Sequence, residues 1–370
     1  MLKIQAFINE LKKNKLIFST GVPDSLFKDL CFGFEKSFKE KNIIAANEGS
    51  AVAIGIGYYL SSKKIPIVYM QNSGLGNAIN PLISLADKSV YNIPIFLIIG
   101  WRGEIKKGIK DEPQHLTQGK VTERFLKNLN IKYKIINHKS NFKKIIRDLS
   151  QKAKKNNEIV ALLVRKNTFE KEKNKKGIIS NYLLREDVLN FILNKMPKNS
   201  IIVSSTGILS RELNELIKKN NLKINNLMCV GGMGHAISLA NGLAVNTKKK
   251  IFCFDGDGAI TMHMGSLATS SKQKNLIHVV FNNFSHESVG GHDNAAKHVK
   301  FFKLSKVIGY KNNYFCKNKK DILQSIKKSL TNTNSSFIEI IVKKGHRKDI
   351  TRPKEKMVSL KNNFLKAMIK

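Results

Sequence analysis

Two short apolar runs, residues 249–254 and 275–281, frame the stretch that most restricts how this chain can fold. Each has the length and composition of a buried strand. Between them lie the turn Gly256-Asp257-Gly258-Ala259 and a helix-spaced segment, residues 259–272. Strand, glycine turn, helix and strand at this pitch make one crossover of a parallel sheet. Asp257 and the pair Asn282-Asn283 then stand at the carboxyl ends of neighbouring strands, where open α/β sheets bind ligands. Asp257 offers a carboxylate oxygen, Asn283 a side-chain carbonyl and Ser285 a backbone carbonyl, a set that suits octahedral Mg²⁺ sharing two phosphate oxygens. The glycines let the backbone approach those phosphates. Alone, an Asp between glycines is ordinarily just a turn. Its pairing with Asn-Asn at the end of the next strand argues for a cation and a diphosphate.

The rest of the chain repeats this grammar. A helix over residues 4–13 leads to a strand at 16–19 and a tight connection at Gly21-Val22-Pro23-Asp24. Strands at 43–46 and 65–70 flank a helix over 48–60, and further strands fall at 93–99 and 159–164. A polar, charged run, residues 166–176, has the composition of a linker. Beyond it, strands at 200–203, 227–230, 251–254, 277–281 and 337–342 mark a second unit. The expected fold class is α/β: a domain over 1–168, a linker over 169–179 and a domain over 180–370, each a parallel sheet flanked by helices.

Bulk properties exclude several alternatives. With 370 residues and 42% apolar content, the chain can bury two ordinary cores. The formal charge of +38 raises the question of nucleic acid, but lysine is spread along both halves and only eight arginines are present. No aromatic-basic recognition motif accompanies them, so compositional bias explains the charge, with non-specific sticking at low salt and no specific nucleic-acid partner. Cys31, Cys229, Cys253 and Cys316 lack ligand spacing, and Cys229 and Cys253 lie in apolar runs, which suits a reducing cytoplasm. The amino-terminal segment mixes charge into its apolar spacing, so neither a signal peptide nor a membrane span is expected.

The motifs GDGAITMHMGSL (from Gly256) and FNNFSHESVGG (from Phe281) are joined by seven others: GVPDSLFK from Gly21, ANEGSAVAIGIGYYL from Ala46, YMQNSGLGNAINPL from Tyr69, IGWRGE from Ile99, DEPQH from Asp111, TGILSREL from Thr206 and GGMGHA from Gly231. Together they cover nearly the whole chain. The set resembles the thiamine-diphosphate-dependent decarboxylases, in particular the phosphonopyruvate decarboxylases and the related sulfopyruvate decarboxylases.

That resemblance implies two thiamine-diphosphate-binding-type domains, pyrimidine-binding first and diphosphate-binding second, with thiamine diphosphate and Mg²⁺ as cofactors. It implies Glu48 as the acid at the pyrimidine N1′, Met233 as the wedge that bends the cofactor, and the Gly231 carbonyl as acceptor from its amino group. Thr206, Gly207, Gly258 and Ala259 would meet the diphosphate, and Asn72, Ser73 and Gly74 would line the pyrimidine side. For substrate, Asp24 and Ser25 match a substrate-facing segment, although Asp24 also suits a helix cap. His115 reads as a substrate or proton-transfer residue or as a structural loop histidine. His286 and Glu287 read as groups that position the oxo acid or deliver a proton, with Glu287 equally suited to anchor a lid. Arg102, Lys110 and the amides of Gly290 and Gly291 are candidates for an anionic tail. The resemblance further implies a homo-oligomer, at least a dimer. Phosphonopyruvate leads as substrate, with sulfopyruvate or another short 2-oxo acid as alternatives. Ser205, His292-Asp293-Asn294 and Thr351-Arg352-Pro353 depart from the usual pattern; none is expected to touch the metal ligands or Glu48, so they bear on the substrate assignment rather than on the cofactor assignment.

Overall fold

The computed structural model describes residues 1–104, 111–171, 181–351, 353 and 355–369. The chain divides into two compact units, residues 1–175 and 176–370. Each carries a six-stranded sheet whose pairings are all parallel. No helix among the described residues is long and apolar enough to cross a membrane.

In the first unit the strands are β1 (Ser19–Gly21), β2 (Asn42–Ile44), β3 (Ile67–Gln71), β4 (Phe96–Gly100), β5 (Lys132–Ile136) and β6 (Val160–Val164). Their order is β2-β1-β3-β4-β6-β5. The central strands are buried on both faces, so they read as continuous apolar runs. Ile67, Tyr69, Phe96 and Ile98 enter one core, while Val68, Met70, Leu97 and Ile99 enter the other. Helix Phe142–Asn156 buries Ile146, Leu149 and Ala153 at helical spacing. Residue 16 does not begin β1 as expected, because Leu16 donates its amide to Leu11 and closes the first helix through Lys15 at φ 63°. Strand β5 went unrecognised in the sequence because it is an edge strand with exposed lysines. The polar run after β6 is not wholly free of core residues. Thr168 and Phe169 are buried, the Leu2 amide donates to the Thr168 carbonyl at 2.8 Å, and the Phe169 ring meets Phe7 at 4.9 Å. The remainder of the expected linker, from residue 172, lies outside the described residues.

The second unit contains β7 (Ile201–Ser204), β8 (Asn225–Met228), β9 (Ile251–Gly256), β10 (Leu276–Asn282), β13 (Asn312–Cys316) and β14 (Ser336–Ile341), in the order β13-β14-β10-β9-β7-β8. A small antiparallel pair, β11 (Ser285–His286) with β12 (His292–Asp293), follows β10. Strand β13, the polar-looking edge NNYFC, was likewise missed. The helix expected over 259–272 is two helices, Asp257–Met262 and Ser266–Ser270. His263 interrupts it at φ −136° and ψ 50°, its ring stacked on His235 at 4.3 Å.

Candidate active site

Strand β9 runs on to Gly256, so Asp257 is the first residue of the following helix, and its side chain is buried. After β10 the chain turns through Asn283 and Phe284, the latter at φ 58°. This turn carries the Ser285 amide to two acceptors, Asp257 Oδ2 at 3.0 Å and Asn283 Oδ1 at 3.1 Å. Carboxylate and carboxamide oxygens from neighbouring strands therefore converge on one N–H. Asn294 Nδ2 donates to the same Asp257 oxygen at 2.9 Å. Burial pushes the Asp257 carboxyl up to about 6, against the lowering effect of these donors.

Around this pair lies a small cleft whose walls include Thr206, Met233, Ala259, Asn283 and His286. Gly207, at φ 102°, starts the helix after β7, and Thr206 Oγ1 donates to the Val230 carbonyl at 3.3 Å, just ahead of Gly231. A Cβ on Gly258 would stand 2.6 Å from His286 Nδ1. Only glycine admits the His286 ring this close to the backbone. His286 is buried, and desolvation together with His292 lowers it to about 4, so its imidazole is neutral at pH 7.

Glu287 occupies an anchoring position. Its Oε2 accepts from Arg185 Nη1 at 2.7 Å and Asn283 Nδ2 at 3.3 Å, while Oε1 takes the Gly345 amide. Burial alone would raise Glu287, but His346 and Arg185 hold it down at about 2. It is thus a carboxylate fastened in place rather than a proton donor. Arg185 also binds Glu212, at 2.6 and 3.0 Å. The reading of Gly290 and Gly291 as amide donors to an anionic tail is corrected: their N–H groups donate to the Glu287 and His286 carbonyls and close the turn.

In the first unit, Asp24, Glu48, Asn72 and Arg102 follow the carboxyl ends of four adjacent strands, β1, β2, β3 and β4. Glu48 opens helix Glu48–Ser62, which Asn47 caps by accepting from the Ser50 amide at 2.8 Å. The Glu48 side chain is buried, Asn77 Nδ2 donates to its Oε2 at 2.8 Å, and it packs so closely on Gly74 that no Cβ fits there. Asn72 is locked between the Arg102 backbone and Thr122, and Ser73 donates to Gln71 at 2.9 Å.

Asp24 is fully buried and caps no helix. Its Oδ1 accepts from Gln71 Nε2 at 2.7 Å, whereas Oδ2 has no hydrogen-bond partner and lies against Gly100. Burial raises its carboxyl, although Gln71 and nearby amides pull the other way. The Arg102 guanidinium is engaged in a fork with Asp111, at 2.8 and 2.5 Å, and donates to Ser25 at 2.9 Å. Burial would push Asp111 up, but its bond to Arg102 keeps it well below the carboxylate range. An anionic tail would have to compete with Asp111 for Arg102. His115, on the first turn of helix Pro113–Asn128, is nearly buried, with an unpartnered Nδ1 and a basicity lowered by burial and by Arg102. Lys110 lies outside the described residues.

The residues of the second unit fit a magnesium diphosphate group. The donor set is oxygen-only and hard, the Asp257 and Asn283 oxygens converge, and the space beside Gly256 on the cleft wall is open. Sequence reasoning missed Asn294, Arg185, Asn77, Gln71 and Asp111. Gln71, Asn77 and Asp111 lie within the quoted motifs and Asn294 within the departure at His292-Asp293-Asn294, but only packing gives them these contacts; Arg185 carried no signal.

Residues 206–340 match the family described as thiamine pyrophosphate enzyme, C-terminal TPP binding domain, and residues 4–123 match thiamine pyrophosphate enzyme, N-terminal TPP binding domain. The chain is 27% identical over 353 residues to a phosphonopyruvate decarboxylase of Streptomyces viridochromogenes, covering 90% of this chain and 87% of the relative. A sulfopyruvate decarboxylase of Methanosarcina acetivorans is 24% identical over 364 residues, 92% of this chain and 91% of the relative. The sulfopyruvate decarboxylase subunit alpha of Methanocaldococcus jannaschii is 38% identical over 121 residues, 33% of this chain and 68% of that subunit. On this likeness and the two matched domains, the chain belongs to the thiamine pyrophosphate-dependent enzymes, in the decarboxylase branch that holds the phosphonopyruvate and sulfopyruvate decarboxylases.

Proposed function

We propose that this enzyme decarboxylates 3-phosphonopyruvate to phosphonoacetaldehyde and CO₂, using thiamine diphosphate and Mg²⁺. The convergence of Asp257 and Asn283 on the Ser285 amide carries the cofactor part of this reading. Likeness along 90% of the chain to a phosphonopyruvate decarboxylase supports the substrate. When bound, the cofactor supplies the electron sink that no side chain offers as CO₂ departs.

The chain's own groups divide the remaining work. Asp257, Asn283 and the Ser285 carbonyl would hold Mg²⁺, with Thr206, Gly207, Gly258 and Ala259 at the diphosphate. Residues 180–370 would thus be the diphosphate-binding domain, and residues 1–168, with Glu48, Asn72, Ser73 and Gly74, the pyrimidine-binding one. Glu48, oriented by Asn77, would hold a proton at the pyrimidine ring. Met233 and the Gly231 carbonyl would support the bent cofactor. His286 and His115 would position the oxo acid and move its proton as neutral imidazoles, and Asp24 and Ser25 would face the substrate. Arg102 would meet the phosphonate only by exchanging Asp111 for it, a swap that favours a tail with high charge and several acceptor oxygens over a methyl group. A cytoplasmic homo-oligomer, at least a dimer, completes the reading, and the four buried free thiols agree with a reducing compartment.

Sulfopyruvate is the second reading, favoured by the relatives from Methanosarcina acetivorans and Methanocaldococcus jannaschii. A CO₂-release assay on the cofactor-loaded protein with phosphonopyruvate, sulfopyruvate and pyruvate side by side separates the readings. The expected order of kcat/KM is phosphonopyruvate, sulfopyruvate, then pyruvate. A higher value for either of the latter two would overturn the phosphonate assignment and leave the cofactor reading intact.

A further inference from the structure

Cys253 and Asp255 stand two residues apart on β9 and so share one face of the sheet. The in-register partner of Cys253 on β10 is His278, which faces the same side. All three side chains are fully buried. The cysteine sulfur, a carboxylate oxygen and an imidazole nitrogen lie within 4.8 Å of one another. Asp255 Oδ2 and His278 Nε2 are 3.5 Å apart, and neither has a hydrogen-bond partner. The other polar atoms of the two residues are engaged, since Asp255 Oδ1 accepts from the Gly256 amide at 2.9 Å and His278 Nδ1 lies 3.4 Å from the Tyr310 hydroxyl. Linear spacing hides this cluster, because the strand register alone brings residue 278 to residue 253.

We propose that Cys253, Asp255 and His278 form a buried binding site for a thiophilic divalent cation of the zinc class. Thiolate, carboxylate and imidazole are the ligand types such a cation takes. Two negative ligands cancel its charge, so the occupied cluster is neutral, as a fully buried site requires. The surroundings complete the design. A proton on Nδ1, directed at Tyr310, leaves the Nε2 lone pair for the metal, and the Gly256 amide fixes the carboxylate so that Oδ2 is the free ligand. Binding replaces the S–H bond of Cys253 by a sulfur–metal bond and releases that proton to solvent. The site differs in kind from the oxygen-only set at Asp257 and Asn283, so Mg²⁺ and the thiophilic cation would not compete. It would also cross-link β9 and β10, the strands that deliver those two residues.

The test uses the full chain, expressed with zinc, freed of loosely held metal by gel filtration and assayed by mass spectrometry. A parallel sample is loaded with Co²⁺ alone. The expected result is stoichiometric zinc in the parent and in Asn283→Ala, with retention reduced by about tenfold or more in Cys253→Ser and His278→Gln. The Co²⁺ parent should show a thiolate-to-cobalt charge-transfer band, and Cys253→Ser should lack it. The band and the proton release on zinc addition are read on the folded parent and require no variant to fold. A folded parent that holds no zinc and shows no such band, or equal zinc in Cys253→Ser, would reduce the cluster to an Asp255–His278 contact and overturn the site.

Discussion

Asn294 donates its side-chain amide to Asp257 Oδ2 at 2.9 Å, and its own carbonyl oxygen is held by the Ala296 amide at the same distance. The segment that departs from the usual family pattern thus supports the residue proposed as metal ligand. Asn294→Ala removes the side-chain donor to that oxygen and leaves the carboxylate to backbone amides, that of Ser285 among them. Loss of such a supporting contact should weaken Mg²⁺ affinity by about tenfold or more. Isothermal titration of Mg²⁺ in the presence of thiamine diphosphate checks this, and parental affinity in the variant would remove the positioning role.

Asp257→Ala should go further and abolish magnesium-dependent binding of thiamine diphosphate, because Mg²⁺ would lose its strongest proposed ligand and the diphosphate charge would go uncompensated. Chelation of the parent with EDTA should have the same effect and should be reversed by Mg²⁺. Calorimetry on the two samples is the measurement, and equal cofactor affinity in parent and variant contradicts the assignment.

Glu48→Gln keeps the shape of the side chain and its contact with Gly74 but loses its acid function. Turnover is expected to fall by ~10²–10⁴, the scale of a positioned proton-transfer group, while cofactor binding is largely retained. Asn77→Ala, which removes the 2.8 Å donor to Glu48, should show a smaller loss in the same direction. Steady-state rates beside binding isotherms distinguish this from simple unfolding, and undiminished turnover in Glu48→Gln excludes the role.

Asp24 leads to a prediction about pH. Its carboxyl is raised in the folded protein by burial, so it keeps its proton to a higher pH there than in the unfolded chain. Its contribution is therefore fully present below the ordinary carboxylate range, about 4, and declines as pH rises through the raised folded value. Asparagine resembles the protonated acid and removes that slope. Asp24→Asn should gain stability relative to the parent on going from pH 4 towards neutrality. Thermal melts of the two proteins across that range check the sign. A parallel pH dependence would show that Asp24 ionises as freely in the folded protein as in the unfolded chain.

Much of this protein is determined by its sequence alone, wherever the relevant physics is local. Buried parallel strands such as β3, β4, β9 and β10 must be continuously apolar, so they announce themselves. The turn at Gly256-Asp257-Gly258 and the pair Asn282-Asn283 are legible because strand ends and close backbone approach restrict residue type within a few positions. Edge strands β5 and β13 are not, because half of each faces water and polar residues break the pattern. Only the tertiary structure decided that Asn294 meets Asp257, that Arg185 reaches across 102 residues to fasten Glu287, and that Asp24 is buried with an unpartnered oxygen against Gly100. The same is true of Cys253, Asp255 and His278, whose meeting depends on the register between two strands. Hydrogen bonds and burial between distant residues are set by how the chain packs, and no local spacing encodes that packing.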